Sequence, residues 1–261
     1  MSRLDPRLLL QGYAAGIFPM ADSRSAEELF WVEPRHRAIL PLDGFHVSRS
    51  LRRSIRSGRF EISCDRDFAA VITGCAMRDE TWINRELEQA MLALHGSGHA
   101  HSIEVWRAGE MGGAPGAELV GGLYGVKLGR AFFGESMFSR ATDASKIALA
   151  WLVARMKVGN FTLLDCQFMT DHLASLGAVS ISRDDYVALL STALATGVSG
   201  SGVGAGSGAG AGTESLAGSA AAASVVPPDL GALDRLLDLT GVAGAAAPAG
   251  YVIAQLLGQT S

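Results

Sequence analysis

The 261-residue chain holds three cysteines, Cys64, Cys75 and Cys166, too few and too irregularly spaced for a disulfide framework or a structural zinc cage. It has no phosphate-binding glycine loop, no serine nucleophile elbow and no run approaching the ~20 apolar residues that cross a bilayer. Its opening residues, Met1 to Pro6, carry no apolar secretion signal, so a reducing cytoplasm is the expected setting. Acids are scarce in one stretch. Between Arg35 and Arg59 only Asp43 opposes seven arginines, Arg35, Arg37, Arg49, Arg52, Arg53, Arg56 and Arg59. The net charge of −4 thus averages over a basic block able to meet a phosphate backbone, the plainer reading being a solvated arginine face.

Two short segments carry most of the chemistry that is present. One runs from Phe132 to Arg140 through Glu135; the other is Asp165-Cys166-Gln167, followed by His172 to Gly177. Asp165 ends the apolar run Leu163-Leu164, where an unpaired carboxylate is expensive, so it must hold a hydrogen-bond partner or meet substrate. Gln167 falls on the same side if the backbone stays extended, and its amide both donates and accepts, which suits aligning an amine with a carbonyl. A carboxylate–amide turn that merely fixes the chain is the competing reading. Glu135, after an apolar strand and Gly134, is expected in a cleft, or else paired with Arg140.

Other residues are weaker signals. Cys166 should face away from Asp165 and has no evident base; His172 could serve only if the fold returns it. His95, His99 and His101 straddle a helix end and a turn, a poor spacing for zinc. Leu123, Phe132, Met137 and Phe138 would wall an apolar pocket near Glu135, though core packing explains them as well. Trp82, among Asp79, Glu80, Thr81 and Asn84, suits a stacking platform better than a core position.

The pattern along the chain predicts a helix from Pro6 capped by Asp5, an exit rather than a strand at Gly16 to Pro19, short strands at Phe30-Trp31 and Ala38 to Leu40, and an arginine-faced helix capped by Ser48. Leu87, Met91 and Leu94 mark one helical stripe; Ile147, Trp151, Ala154 and Val158 mark another. Three successive strands lie between Ser102 and Phe133, with a loop over Gly109 to Gly116. The expected class is α+β: a small N-terminal α/β domain over 1–59, a catalytic domain over 60–194, a Gly/Ala/Ser-rich flexible linker over 195–228, and an apolar tail over 229–261 that docks back or binds a partner.

An ordered set of blocks, among them Gly16-Ile17-Phe18-Pro19, Thr81-Trp82-Ile83, Val120 to Val126, Gly134 to Arg140, Asp165-Cys166-Gln167 and His172 to Ala178, resembles the leucyl/phenylalanyl-tRNA–protein transferase family. The resemblance spans about Leu8 to Leu194. It implies an acetyltransferase-like (GNAT) larger domain and transfer of leucine or phenylalanine from leucyl-tRNA or phenylalanyl-tRNA to a protein's N-terminal Arg or Lys, marking it for N-end-rule degradation. It further implies no metal or cofactor, no membrane and a monomer.

By the same resemblance Asp165 holds and polarises Gln167, Gln167 contacts the attacking amine, and Glu135 binds the amino group of the donor residue. Leu123, Phe132 and Met137 wall the side-chain pocket. Trp82 stacks on the terminal adenosine, with Met20 as the other wall where relatives carry an aromatic. Arg49, Arg52, Arg53, Arg56 and Arg59 grip phosphates. Acidic groups at the cleft would favour an acceptor beginning with Arg or Lys. The Gly-rich tail has no counterpart in that pattern. A non-catalytic tRNA-binding module and a related aminoacyltransferase with other donor or acceptor preferences are the alternatives.

Overall fold

The computed structural model describes residues 4–111, 114–195, 226–239 and 246–258. The chain opens with helix α1 (Pro6–Ala14), whose Asp5 side chain accepts from the Arg7 amide. Gly16, at φ +80°, turns the chain sharply into β1 (Phe18–Met20), which pairs antiparallel with β2 (Phe30–Val32). The expected exit is therefore a strand. Pro19 is tolerated because this two-stranded ribbon is all edge.

The remaining strands form one sheet: β3 (His36–Ile39), β4 (Glu61–Cys64), β5 (Ala100–Met111), β6 (Ala114–Leu128), β7 (Ala131–Ser139), β8 (Leu163–Gln167) and β9 (Val179–Ser182), in the order β4-β5-β6-β7-β8-β3-β9. Only β7 and β8 run parallel; the other pairs are antiparallel. The α+β class holds, but the boundary after residue 59 does not divide the sheet. β3 sits between β8 and β9, where the apolar side chains of Ala38 and Ile39 are buried. The expected loop at Gly109 to Gly116 is also corrected. Main-chain pairing runs from Gly109↔Gly116 to Met111↔Ala114, so the strands continue through most of the segment read as a loop.

Helices cover both faces of the sheet. On one lie α1, α3 (Phe68–Ala76), α4 (Arg85–Gly96) and α7 (Arg183–Ala195), with Leu9, Phe68, Leu87 and Leu190 in a shared core with Phe133 and Phe138 of β7. On the other lie α2 (Arg49–Arg56) and α5 (Ala144–Val158), packed with Leu123, Phe132 and Leu164. The short α6 (Asp171–Ala174), capped by Thr170, follows β8.

The stripe read for α5 understates it, since Ala144 and every residue from Ile147 to Met156 are buried. The reason is the tail. Helices α8 (Ala232–Leu239) and α9 (Ala246–Leu256) pack on α5 from the side away from the sheet and bury Leu233, Ile253, Ala254 and Leu257. A helix enclosed on all sides is apolar all round. The linker reading for 195–228 falls largely on 196–225, outside the described residues.

One ion pair fastens this tail. Arg155 of α5 is 3% exposed and donates to both carboxylate oxygens of Asp234 at 2.6 Å and to the Leu230 carbonyl at 2.9 Å. Removing one partner of a buried pair leaves the other charge uncompensated. Asp234 is half-exposed, which moderates the loss. Asp234→Ala should therefore lower unfolding stability by roughly 1–3 kcal/mol, read from denaturant midpoints. A midpoint equal to that of the parent would contradict the assigned role.

Candidate active site

The register of the parallel pair ends at Phe133↔Asp165, although β7 runs on to Ser139 and β8 to Gln167. Past that point the two strands part, and a cleft of about 720 Å³ opens at their carboxyl ends. Polar groups of both strands meet across it, in the manner of sites at strand carboxyl ends in parallel sheets.

Two local irregularities aim these groups. In β7 the register against β6 steps from Gly125↔Gly134 to Tyr124↔Ser136, leaving Glu135 as a bulge. The extra residue resets the alternation, so Phe132 and Met137 share one core and Phe133 and Phe138 the other. In β8 the strand ends with Gln167 at φ +62°, not extended as expected. A left-handed non-glycine residue costs roughly 1–2 kcal/mol. The Gln167 amide donates to Asp165 Oδ1 at 2.7 Å, which offsets that cost.

Asp165 itself is fully buried and does not line the cleft. Arg37 donates to it through Nε (2.9 Å to Oδ1, 3.0 Å to Oδ2) and Nη2 (2.6 Å to Oδ2), and Tyr186 Oη donates at 2.8 Å. Phe18 and Tyr186 rings lie 4.5 and 4.7 Å from the guanidinium. Asp165 thus holds the main chain of Gln167 rather than its side chain.

The side chain is held by Glu135, whose Oε1 accepts from Gln167 Nε2 at 2.7 Å. That assignment turns the amide oxygen of Gln167 away from the carboxylate, free to accept from another group. Glu135 is 7% exposed and its Oε2 has no protein partner; the Tyr13 hydroxyl lies against it without a well-formed hydrogen bond and is likewise unpartnered. Burial pushes Glu135 up to about 8, with Asp165 adding to the rise, against the opposing pull of Tyr13, Arg37 and Gln167.

Leu123, Met137, Leu149, Leu152, Leu164 and Leu173 wall the apolar part of the cleft. Phe132 does not line it; it is fully buried in the core behind, on the same side of the sheet as Met137. Trp82 lines the cleft, and the half-exposed Phe168 lines it as well. Met20 does not, although the neighbouring Ala21 amide bonds to the Trp82 carbonyl at 3.1 Å. The acids expected around an acceptor reduce to Glu135 among the lining residues, beside the cations Arg78 and Arg140. Arg140, the competing partner for Glu135, instead lies over the Phe138 ring at 5.2 Å.

The fold does bring His172 to the same cleft as Cys166, but no hydrogen bond joins them among the described residues. Burial and Asp165 push the Cys166 thiol far up, and burial together with Lys146 pushes His172 down. A thiolate nucleophile is disfavoured there. His101 is taken by Asp65 at 2.7 Å, and His95 by the Ala100 carbonyl at 2.9 Å.

Outside the cleft, Arg49, Arg52, Arg53 and Arg56 fall at i, i+3, i+4 and i+7 and share one face of α2, while Arg59 lies apart over Phe60. Sequence reasoning missed Arg37, Tyr186, Tyr13 and Phe168. Arg37 had a usable signal: it directly precedes the apolar Ala38-Ile39-Leu40, as Asp165 follows one.

A cleft with an apolar wall, a fixed amide and no activated nucleophile of its own suits a group-transfer enzyme whose nucleophile arrives with a substrate. A family model described as leucyl/phenylalanyl-tRNA protein transferase matches residues 39–191, and the model of that transferase's N-terminal domain matches residues 2–35. The chain belongs to this family. A leucyl/phenylalanyl-tRNA–protein transferase of Rhizorhabdus wittichii is 55% identical over 266 residues, covering all of both chains. That of Novosphingobium aromaticivorans is 49% identical over 274 residues, again covering all of both. That of Zymomonas mobilis is 58% identical over 197 residues, 74% of this chain and 70% of its own. The first two alignments correct the expectation that the tail lacks a counterpart. The crystal structure of FemX matches with a TM-score of 0.42 at 13% identity, over 67% of this chain and 66% of that one, too loosely to carry an argument.

The raised Glu135 pKa has a consequence for stability. A carboxyl whose folded pKa lies above its unfolded value of 4.5 favours the fold fully below that pH, and the benefit is lost as pH rises through about 8. Relative to Glu135→Gln, the parent should lose a few kcal/mol of unfolding stability between about pH 5 and pH 9, measured by urea denaturation. A difference independent of pH would refute the assignment.

Proposed function

We propose that the cleft seats leucine or phenylalanine esterified to tRNA and that the residue passes to the α-amino group of a protein beginning with Arg or Lys, marking that protein for N-end-rule degradation. The observation that carries this is the Gln167 amide, fixed by Glu135 at the edge of a leucine-lined cleft in a chain of this family. The sheet is read as acetyltransferase-like (GNAT), a reading supported by the single parallel pair whose ends part at the site.

The donor side chain enters between Leu123, Met137, Leu149 and Leu173. Its ammonium meets Glu135, and a cation arriving there favours the ionised carboxylate. Trp82 and Phe168 offer aromatic faces to the terminal adenosine, a role read here for Phe168 in place of Met20, and Arg78 and Arg140 offer charge to its phosphates. The acceptor amine, with pKa near ~8, has a usable neutral fraction at pH 7. It donates a hydrogen bond to the Gln167 oxygen and attacks the ester carbonyl. The C–N bond forms, the C–O bond to ribose breaks, and one amine proton ends on the departing ribose oxygen.

Asp165, Arg37 and Tyr186 act through the backbone of Gln167 as positioning residues. Orientation is the main contribution of such a site, and misplacement by an ångström can cost about 100-fold. Three unpaired thiols, Cys64, Cys75 and Cys166, support a reducing compartment as the setting.

The direct test is transfer of labelled leucine from leucyl-tRNA to a peptide beginning with Arg; no transfer above an enzyme-free control would refute the reading. Gln167→Ala should lower turnover by about 100-fold while leaving the affinity for charged tRNA within about twofold. Binding of tRNA with turnover insensitive to Gln167 would favour a non-catalytic module instead.

A further inference from the structure

Four arginines of α2 face one side, and no carboxylate among the described residues pairs with them. Arg24, Arg66, Arg107, Arg183 and Arg235 each pair with a carboxylate, yet none of the ion pairs among the described residues involves Arg49, Arg52, Arg53 or Arg56. Like charges at i+3 and i+4 repel, so the arrangement is unfavourable until a polyanion meets it. These four side chains, Ser57 and Tyr251 line an open groove of about 450 Å³.

Tyr251 comes from α9, more than 190 positions further along the chain, and adds the groove's one aromatic ring. It is 57% exposed, and the Arg56 guanidinium lies 5.0 Å from its centroid. The docking that brings it there is close. A Cβ on Gly250 would stand 2.1 Å from the Ile55 carbonyl oxygen and 3.3 Å from Arg56 Cα, so only glycine lets α9 approach the last turn of α2. Ile253, Ala254 and Leu257 bury the apolar side of the same helix. One hydrogen bond ties α2 to the turn beside the cleft. Ser54 of α2 donates to Asp143 at 2.9 Å, on the turn whose neighbours Ser139, Arg140 and Ser145 line the cleft wall.

We propose that α9 is a built part of the nucleic-acid-binding surface: docked on α2, it shapes the four arginines and Tyr251 into one groove for the sugar–phosphate backbone of the donor tRNA, beyond its aminoacylated end. This rests on the donor reading above and extends it to a segment that lies outside both family models, which match residues 2–35 and 39–191. Tyr251 supplies a flat face that takes a ribose or base while its neighbours take phosphates. Gly250 is the positioning residue.

The test uses the full chain with two donors, leucyl-tRNA and a leucylated adenosine that ends at the cleft. Gly250→Val displaces α9 without removing a charge; Tyr251→Ala removes an exposed ring without touching the packing. Each should raise KM for leucyl-tRNA by about 3- to 10-fold, with transfer from leucylated adenosine unchanged; Gly250→Val should also flatten the salt dependence by about one unit of log–log slope for every phosphate the displaced groove no longer neutralises, whereas Tyr251→Ala, which removes no charge, should keep the parent slope. Unchanged KM in both variants, with the parent salt slope kept in Gly250→Val, would overturn the proposal, as would an equal loss with both donors. A parent enzyme that transfers from neither donor would overturn the donor reading itself, and this inference with it.

Discussion

Arg37 and Asp165 face one another from adjacent strands of the sheet, buried and joined by three hydrogen bonds, with Tyr186 adding a fourth to the carboxylate and the Gly16 carbonyl receiving the remaining arm of the guanidinium at 3.3 Å. Such a pair is costly to desolvate and is tolerated only when nearly every donor and acceptor is met. Here each member is met by a different part of the chain. The ion pair therefore specifies where α1 ends, how β3 enters the sheet, how α7 lies and where β8 stops, and it does so directly behind the cleft. The Gln167 backbone is the last link, taken into the left-handed region by the same carboxylate.

Much of the architecture could be read in the residues. The caps at Asp5 and Ser48 and the stripe Leu87, Met91 and Leu94 are local signals, and they fall where local physics puts them. Asp165, Gln167 and Glu135 were legible for a related reason: a charged or amide group at the end of an apolar run demands a partner. The identity of that partner was not legible. Arg37 lies 128 positions from Asp165, inside a basic block that invited a uniform surface reading, and only the placement of β3 between β8 and β9 separates it from the arginines of α2.

The error over Phe132 is one of depth rather than of side. Strand alternation predicts that Phe132 and Met137 face opposite ways, and the bulge at Glu135 cancels this by inserting one residue. Both side chains then lie on one side of the sheet, at different depths, Phe132 within the core and Met137 at the cleft. Nothing in periodicity announces a bulge, which depends on pairing with β6. The bulge that brings Met137 to the side of Phe132 also turns a carboxylate inward where the parallel strands separate.

The link between Arg155 and Asp234 spans 79 positions and bears on the order in which the molecule can be completed. Synthesis proceeds from the amino end, and domains begin to fold as they emerge. The carboxylate that receives the α5 guanidinium is made 79 positions later, with α8. Until α8 is available, the flank of α5 that carries Arg155 lacks both its carboxylate and its apolar cover.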